Sequence, residues 1–155
     1  MNFFGHAAVA TWSAPASGAA PAVVLGAMLP DFATMCGGRI ASAEDAGVAR
    51  GIDLHHTTDA VFHTLPVVTA LMRELDERLA HGHCARGPRR AVAHIGVELL
   101  LDGVLVDEPA YRAAYLSGLM HDPALQWRDP EDAPHFALLL DRLRAHGVPE
   151  DLRLP

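Results

Sequence analysis

Apolar residues recur at three- and four-residue spacing through most of the chain, and no segment alternates convincingly with period two, which predicts an all-α fold. A short helix starts at Met1 and runs to about Thr11. Ser13 to Pro21 is rich in Ser, Ala, Gly and Pro and reads as a loop. Ala22 to about Met35 is apolar and helical, with Pro30 expected to kink or restart it, and Cys36-Gly37-Gly38 breaks it. Ser42 is the expected N-cap of the next helix, with Glu44 and Asp45 in the first turn where the helix dipole favours anions; that helix runs to about Thr64. Pro66 to about Leu79 forms another, followed by a loop from Gly82 to Pro88. Arg89 to about Val106 is the most apolar helix and is expected at the centre. Glu108-Pro109 starts a further helix through Leu119, and His121 to Asp132 reads as loop. Asp129-Pro130 resembles a cap followed by proline at the first helical position, and the last helix ends near Ala145, before Gly147-Val148-Pro149. The expected architecture is a single-domain bundle of six or seven helices over residues 1–155, with a metal site between central helices.

Composition narrows the function. Half of the 155 residues are apolar, enough for a core, and 19 acidic against 12 basic residues leave a formal charge of −7. The longest basic run is Pro88-Arg89-Arg90, which argues against a nucleic-acid partner. No apolar run approaches the roughly 18 residues of a membrane span. The N-terminal stretch lacks the Lys or Arg of a secretion signal, and His6 and Trp12 interrupt it. Cys36 and Cys84 form neither a CxxC nor a zinc-ribbon spacing; two lone thiols fit a reducing cytosol, with a disulfide between them as the alternative. A cytoplasmic location is the expectation, and the sequence leaves the oligomeric state open.

The ten histidines are the anomaly. His81, His83, His121, His135 and His146 lie in polar surroundings and read as surface residues. His55, Asp59 and His63 are spaced by four, and so are His94, Glu98 and Asp102. Residues four apart share a helix face, so each triplet forms one polar stripe. The second lies in A-H-I-G-V-E-L-L-L-D-G-V-L, where unpartnered carboxylates would meet a heavy desolvation cost. Imidazoles and carboxylates sharing a face suit zinc, manganese or iron, without choosing among them. Six candidates exceed the three or four ligands of one zinc site, so one or two divalent ions are expected, the second sharing a bridging carboxylate. A solvated helix face and a metal-free hydrogen-bond network are the other readings of the stripes, the first more applicable to the 55–63 stripe beside Asp53, Thr57 and Thr58. His6 and Asp31 are single polar residues in apolar surroundings. Alone, such a histidine is more often a core or surface residue, and such an aspartate more often a helix cap.

The motifs also resemble those of the acyl carrier protein phosphodiesterase family. M-N-F-F-G-H is similar to its Met-Asn-Phe-Leu-Ala-His start, and G-A-M-L-P-D-F to its Gly-Asn-Leu-Leu-(Ala/Gly)-Asp-Phe segment. G-I-D-L-H-H-T-T-D-A-V-F-H-T-L-P resembles its His- and Asp-containing central block, and H-I-G-V-E-L-L-L-D-G-V-L its helix ending in Asp-His-Phe-Leu. Order and approximate spacing agree over about the first 105 residues. The resemblance implies an all-helical, manganese-dependent phosphodiesterase and marks His6, Asp31, His55, Asp59 and Asp102 as functional. His63 replaces an acid of that pattern, Glu98 an Asp, Gly103 a His and His56 an Arg. The His55/Asp59 and His94/Glu98 pairs also resemble the His-x-x-x-Asp and His-x-x-x-Glu pairs of the zinc-dependent phospholipase C family.

These readings converge on a metal-dependent hydrolase of a small-molecule or lipid phosphoester. The expected metal ligands are His6, Asp31, His55, Asp59, His63, His94, Glu98 and Asp102. Glu98 or Asp102 is the expected general base, and Arg39 or Arg50 a phosphate contact. Acyl carrier protein is itself acidic, so a chain at −7 with no basic cluster repels it. The alternatives are a non-catalytic metal-binding helical protein and a helical interaction module.

Overall fold

The apolar segment Pro21–Met35, α2, organises the architecture. Pro21 stands in its first turn, where proline gives up no hydrogen bond, and the helix continues through Pro30 to Met35 without restarting. Val24, Leu25, Ala27, Met28, Leu29, Phe32 and Ala33 are all buried. In the computed structural model, which describes residues 1–16 and 18–153, α2 packs against α1 (Phe3–Trp12), α3 (Ala46–Phe62), α6 (Pro109–Leu119) and α7 (Asp132–His146). Its side chains join Phe4, Val48, Val106, Tyr115, Leu119, Phe136 and Leu140 in one core. The helices α4 (Pro66–His81) and α5 (Arg86–Leu105) pack on each other, and α5 returns to α1. The fold is an all-α, single-domain bundle: 70% helix, with seven α-helices among the described residues. None of them is long and apolar enough to cross a membrane.

The contact between α2 and α3 is the closest in the bundle. A Cβ at Gly26 would lie 2.2 Å from the Val48 carbonyl oxygen, and one at Gly51 would lie 2.3 Å from that of Val23. Both obstructing atoms are backbone, so the helices touch main chain to main chain. Glycine is needed at both positions for that approach.

Four expectations need correction. The central helix is α2, not α5. Within α5 only Ala93, Val97, Asp102 and Gly103 are buried, while Ile95, Leu100 and Val104 are exposed. Apolar residues surround α5 on more sides than α1 and α4 can cover, leaving an apolar groove of about 500 Å³ against Val67 and Leu71 of α4. Strands are present: β1 (Ile40–Ala43) pairs antiparallel with β2 (Leu125–Trp127), and a register irregularity falls between Ile40 and Ser42. Four and three residues are too few for a period-two pattern to register. Ser42 is taken up in β1, so the N-cap of α3 passes to Asp45, whose Oδ1 accepts from the Gly47 and Val48 amides at 2.6 and 3.2 Å. The last helix begins at Asp132 rather than Pro130; Asp129 Oδ1 accepts from the Glu131 amide in the turn before it. Its end is as expected, at Gly147 with a positive φ of 75°, a conformation open to glycine. Cys36 and Cys84 are free thiols.

Gly51→Ala is expected to lower stability by about 1–3 kcal/mol or more, because overpacking against backbone cannot relax by side-chain rotation. In a domain of this size that is a fall in Tm of roughly 2–4 °C per kcal/mol, readable by calorimetry. An unchanged Tm would contradict the close helix approach.

Candidate metal centre

Once α2 and α3 are in contact, His55 lies beside α2. The Ala27 carbonyl accepts from its Nδ1 at 2.9 Å. Because a carbonyl only accepts, Nδ1 carries the proton and Nε2 keeps its lone pair, the arrangement that orients a metal-binding histidine. One turn before Met35, Asp31 projects toward the same place. His6 enters from α1, its ring stacked on that of His55 with centroids 3.8 Å apart. One ligand atom from each of His6, Asp31 and His55 falls within 4.8 Å of the other two, and the same holds for His63, His94 and Glu98. Four helices, α1, α2, α3 and α5, supply the two groups.

Asp59 lies between them. Its Oδ1 is 3.4 Å from His6 Nε2, and its Oδ2 is 3.6 Å from His63 Nε2. Glu98 Oε1 is 2.9 Å from His94 Nε2 and 3.6 Å from His63 Nε2. The amino group of Met1 donates to Asp59 Oδ1 at 2.6 Å and to Glu98 Oε1 at 3.0 Å. Two carboxylates from different helices thus converge on a point where positive charge is held. The first group is more enclosed: His6 and His55 are buried, whereas His94 is 51% exposed.

Burial governs the protonation states. Desolvation, helped by the neighbouring His55 and the Met1 amine, holds His6 neutral, far below the ordinary histidine range. Desolvation also lowers His55. Burial pushes Asp31 up to about 7; the Met1 amine opposes this, and the carboxylates of Asp59, Glu98 and Asp102 add to it. Burial likewise raises Asp59, but the Met1 amine, with His6 and His55, more than reverses that and leaves it lowered. Both ring nitrogens of His6 and Oδ2 of Asp31 are buried without a hydrogen-bond partner among the described residues. Leaving such groups unmatched costs about 1–3 kcal/mol each. A cation taken up by one nitrogen of the neutral imidazole and by the carboxylate removes that penalty at those two atoms, so the donor set fits a divalent metal.

Of the eight ligands expected from sequence, six fall into the two groups, and Asp59 lies between them. Asp102 belongs to neither. It is 0% exposed, and its Oδ1 accepts from the Gly5 amide at 2.8 Å, which caps the first turn of α1 in place of Asn2, whose side chain makes no cap bond. Burial raises it to about 7, against hydrogen bonds from Gly5, Asn2 and Phe4 that lower it. Its place is at the first turn of α1, which it holds through the Gly5 amide. His121, read as a surface residue, is half-buried with Nε2 3.3 Å from Asp45 Oδ2. Sequence reasoning missed the Ala27 carbonyl and the Met1 amine, since main-chain groups leave no mark in residue identity. Compared with protein-family models, curated proteins and solved structures, the chain matches none.

The Asp31 carboxyl gives metal uptake a pH dependence. Below about pH 7 it carries a proton that a metal must displace, so in His94→Ala, which leaves the enclosed group intact, apparent affinity should fall about tenfold per pH unit below 7 and level off above. His6, held neutral by burial, releases no proton, and burial lowers His55 in the same sense. Titration calorimetry between pH 5.5 and 8 in several buffers reads both affinity and proton release; an affinity flat over that range would refute this assignment.

Proposed function

We propose that the protein is a metal-dependent phosphoester hydrolase with a two-cation centre built from His6, Asp31 and His55 on one side and His63, His94 and Glu98 on the other. The observation that carries this reading is Asp59, which turns one carboxylate oxygen toward each group at 3.4 and 3.6 Å. A pair of divalent ions sharing a carboxylate supplies a hydroxide at neutral pH and neutralises the charge that builds on a phosphoryl group during in-line displacement. Manganese, zinc and iron all suit these ligands. The resemblance to acyl carrier protein phosphodiesterases and to zinc-dependent phospholipases C points to the same chemistry.

The residues divide the work. Glu98, half-buried where the second group meets Asp59, is the carboxylate we assign to proton transfer. Asp102 is enclosed behind α1 and acts as a positioning residue. The net charge of −7 disfavours acyl carrier protein as substrate and favours a small-molecule or lipid phosphoester. The free thiols Cys36 and Cys84 support a cytoplasmic setting.

The test is elemental analysis of protein purified without a metal-affinity tag, together with hydrolysis of bis(4-nitrophenyl) phosphate. One or two equivalents of metal are expected, with activity lost on chelation and restored by manganese or zinc. Asp59→Ala should lower kcat by about 100-fold or more, since removing one shared group misplaces the reacting atoms. Protein that takes up none of these ions would overturn the reading. Metal-loaded protein inert toward both phosphomonoesters and phosphodiesters would leave a non-catalytic metal-binding protein.

A further inference from the structure

We propose that the cavity between α2, α3 and β1 binds the anionic end, phosphate or carboxylate, of a small-molecule substrate whose phosphoester lies at the metal centre. The cavity holds about 630 Å³, within the roughly 300–1,000 Å³ of small-ligand sites, and Arg39 and Arg128 both line it. They meet there because the β1–β2 pairing joins them: the Arg39 carbonyl accepts from the Arg128 amide at 2.9 Å. In sequence they are distant, and the pairing that unites them joins a segment read as loop to one that holds Ser42, the expected helix N-cap.

Neither guanidinium has a carboxylate partner within 4.0 Å among the described residues. Arg50, Arg73, Arg86, Arg90 and Arg142 share that feature, whereas Arg78, Arg89, Arg112, Arg144 and Arg153 each have a carboxylate partner. Two guanidiniums without carboxylate partners on one concave wall leave positive charge there, and their planar donors match phosphate or carboxylate oxygens. The acidic group on the wall is Asp53 of α3, and Asp132 accepts the Arg39 amide behind it at 3.0 Å. Two positive charges face one negative, in a chain that is otherwise strongly acidic.

The cavity adjoins the candidate centre. His56 lies on its wall, and the His56 ring is edge-on to that of His55 with centroids 5.3 Å apart. Thr34 and Ser42 add hydroxyl-bearing side chains to the lining. His56 is the lining residue past which a ligand anchored on the arginines would extend toward His55 of the candidate centre. The substrate class is therefore a polar phosphoester carrying a second anionic group. This inference rests on the hydrolytic reading for what lies at the metal centre, but the anion site itself does not need metal.

The test uses chelator-treated full-length protein titrated calorimetrically with inorganic phosphate and with phenyl phosphate. Binding should persist without metal. Arg39→Ala and Arg128→Ala should each weaken it about tenfold or more, the loss of one charge-assisted contact, and the double variant should abolish it, while Arg39→Lys retains part. Both side chains are exposed, so unchanged Tm and circular dichroism are expected and serve as the folding control. No binding by the metal-free wild type, or equal binding by the double variant, would overturn the inference even if metal-dependent hydrolysis is present. Anion binding that follows the arginines in a protein taking up no metal would uphold the site while the hydrolytic reading falls. Co-sedimentation with phosphatidylglycerol vesicles that is lost in Arg39→Ala/Arg128→Ala would overturn the small-molecule assignment in favour of a lipid headgroup.

Discussion

Main-chain contact between α2 and α3 at Gly26 and Gly51 is the constraint on which the rest of the structure depends. With any side chain there, the helices would separate by the width of a methyl group or more. His55 Nδ1 would then leave the Ala27 carbonyl, and Asp31 would draw away from His55. The same contact buries the apolar face of α2 that the core is built on. Stability and the candidate centre therefore have one origin.

The centre concentrates groups that a bundle interior tolerates badly. His6 is fully buried with two unmatched nitrogens, Asp31 has an unmatched oxygen, and Asp59 and Glu98 converge on one amino group. Isolated charges at such depth are costly, and the molecule meets the cost by shifting protonation: His6 is held neutral, His55 is lowered, and Asp31 is raised toward neutrality. Divalent cations match this pattern, because they bind neutral imidazole and draw the proton off a reluctant carboxyl. Asp102 belongs to the support of this arrangement. Its bond to the Gly5 amide fixes the start of α1, and with it the depth at which His6 enters.

The helices were legible because their signals are local. Proline at the starts of α4 and α6, the break after Met35 and the glycine after α7 all operate within one or two turns. The two stripes were legible for the same reason. What each stripe faces was not. Each step of four advances the side chain by about 40° around the helix, so Asp102 has turned from the direction of His94 and Glu98 to the start of α1. Sequence shows that spacing without the neighbour that gives it meaning. The β1–β2 pairing depends on which elements meet; the central position of α2 was within reach of composition, since α2 carries one charged residue, Asp31, against five in α5. His6 and Asp31, lone polar residues on two other helices, gained their weight from the family resemblance; the structure places both against His55.

The most direct measurement is anomalous X-ray scattering from a crystal soaked in manganese. Two peaks about 3.5–4 Å apart, one beside His6, Asp31 and His55, the other beside His63, His94 and Glu98, with Asp59 between them, are what the account predicts. No peak at these residues, with Asp59 and Glu98 remaining hydrogen-bonded to the Met1 amine, would contradict it and leave the cluster as a metal-free polar network.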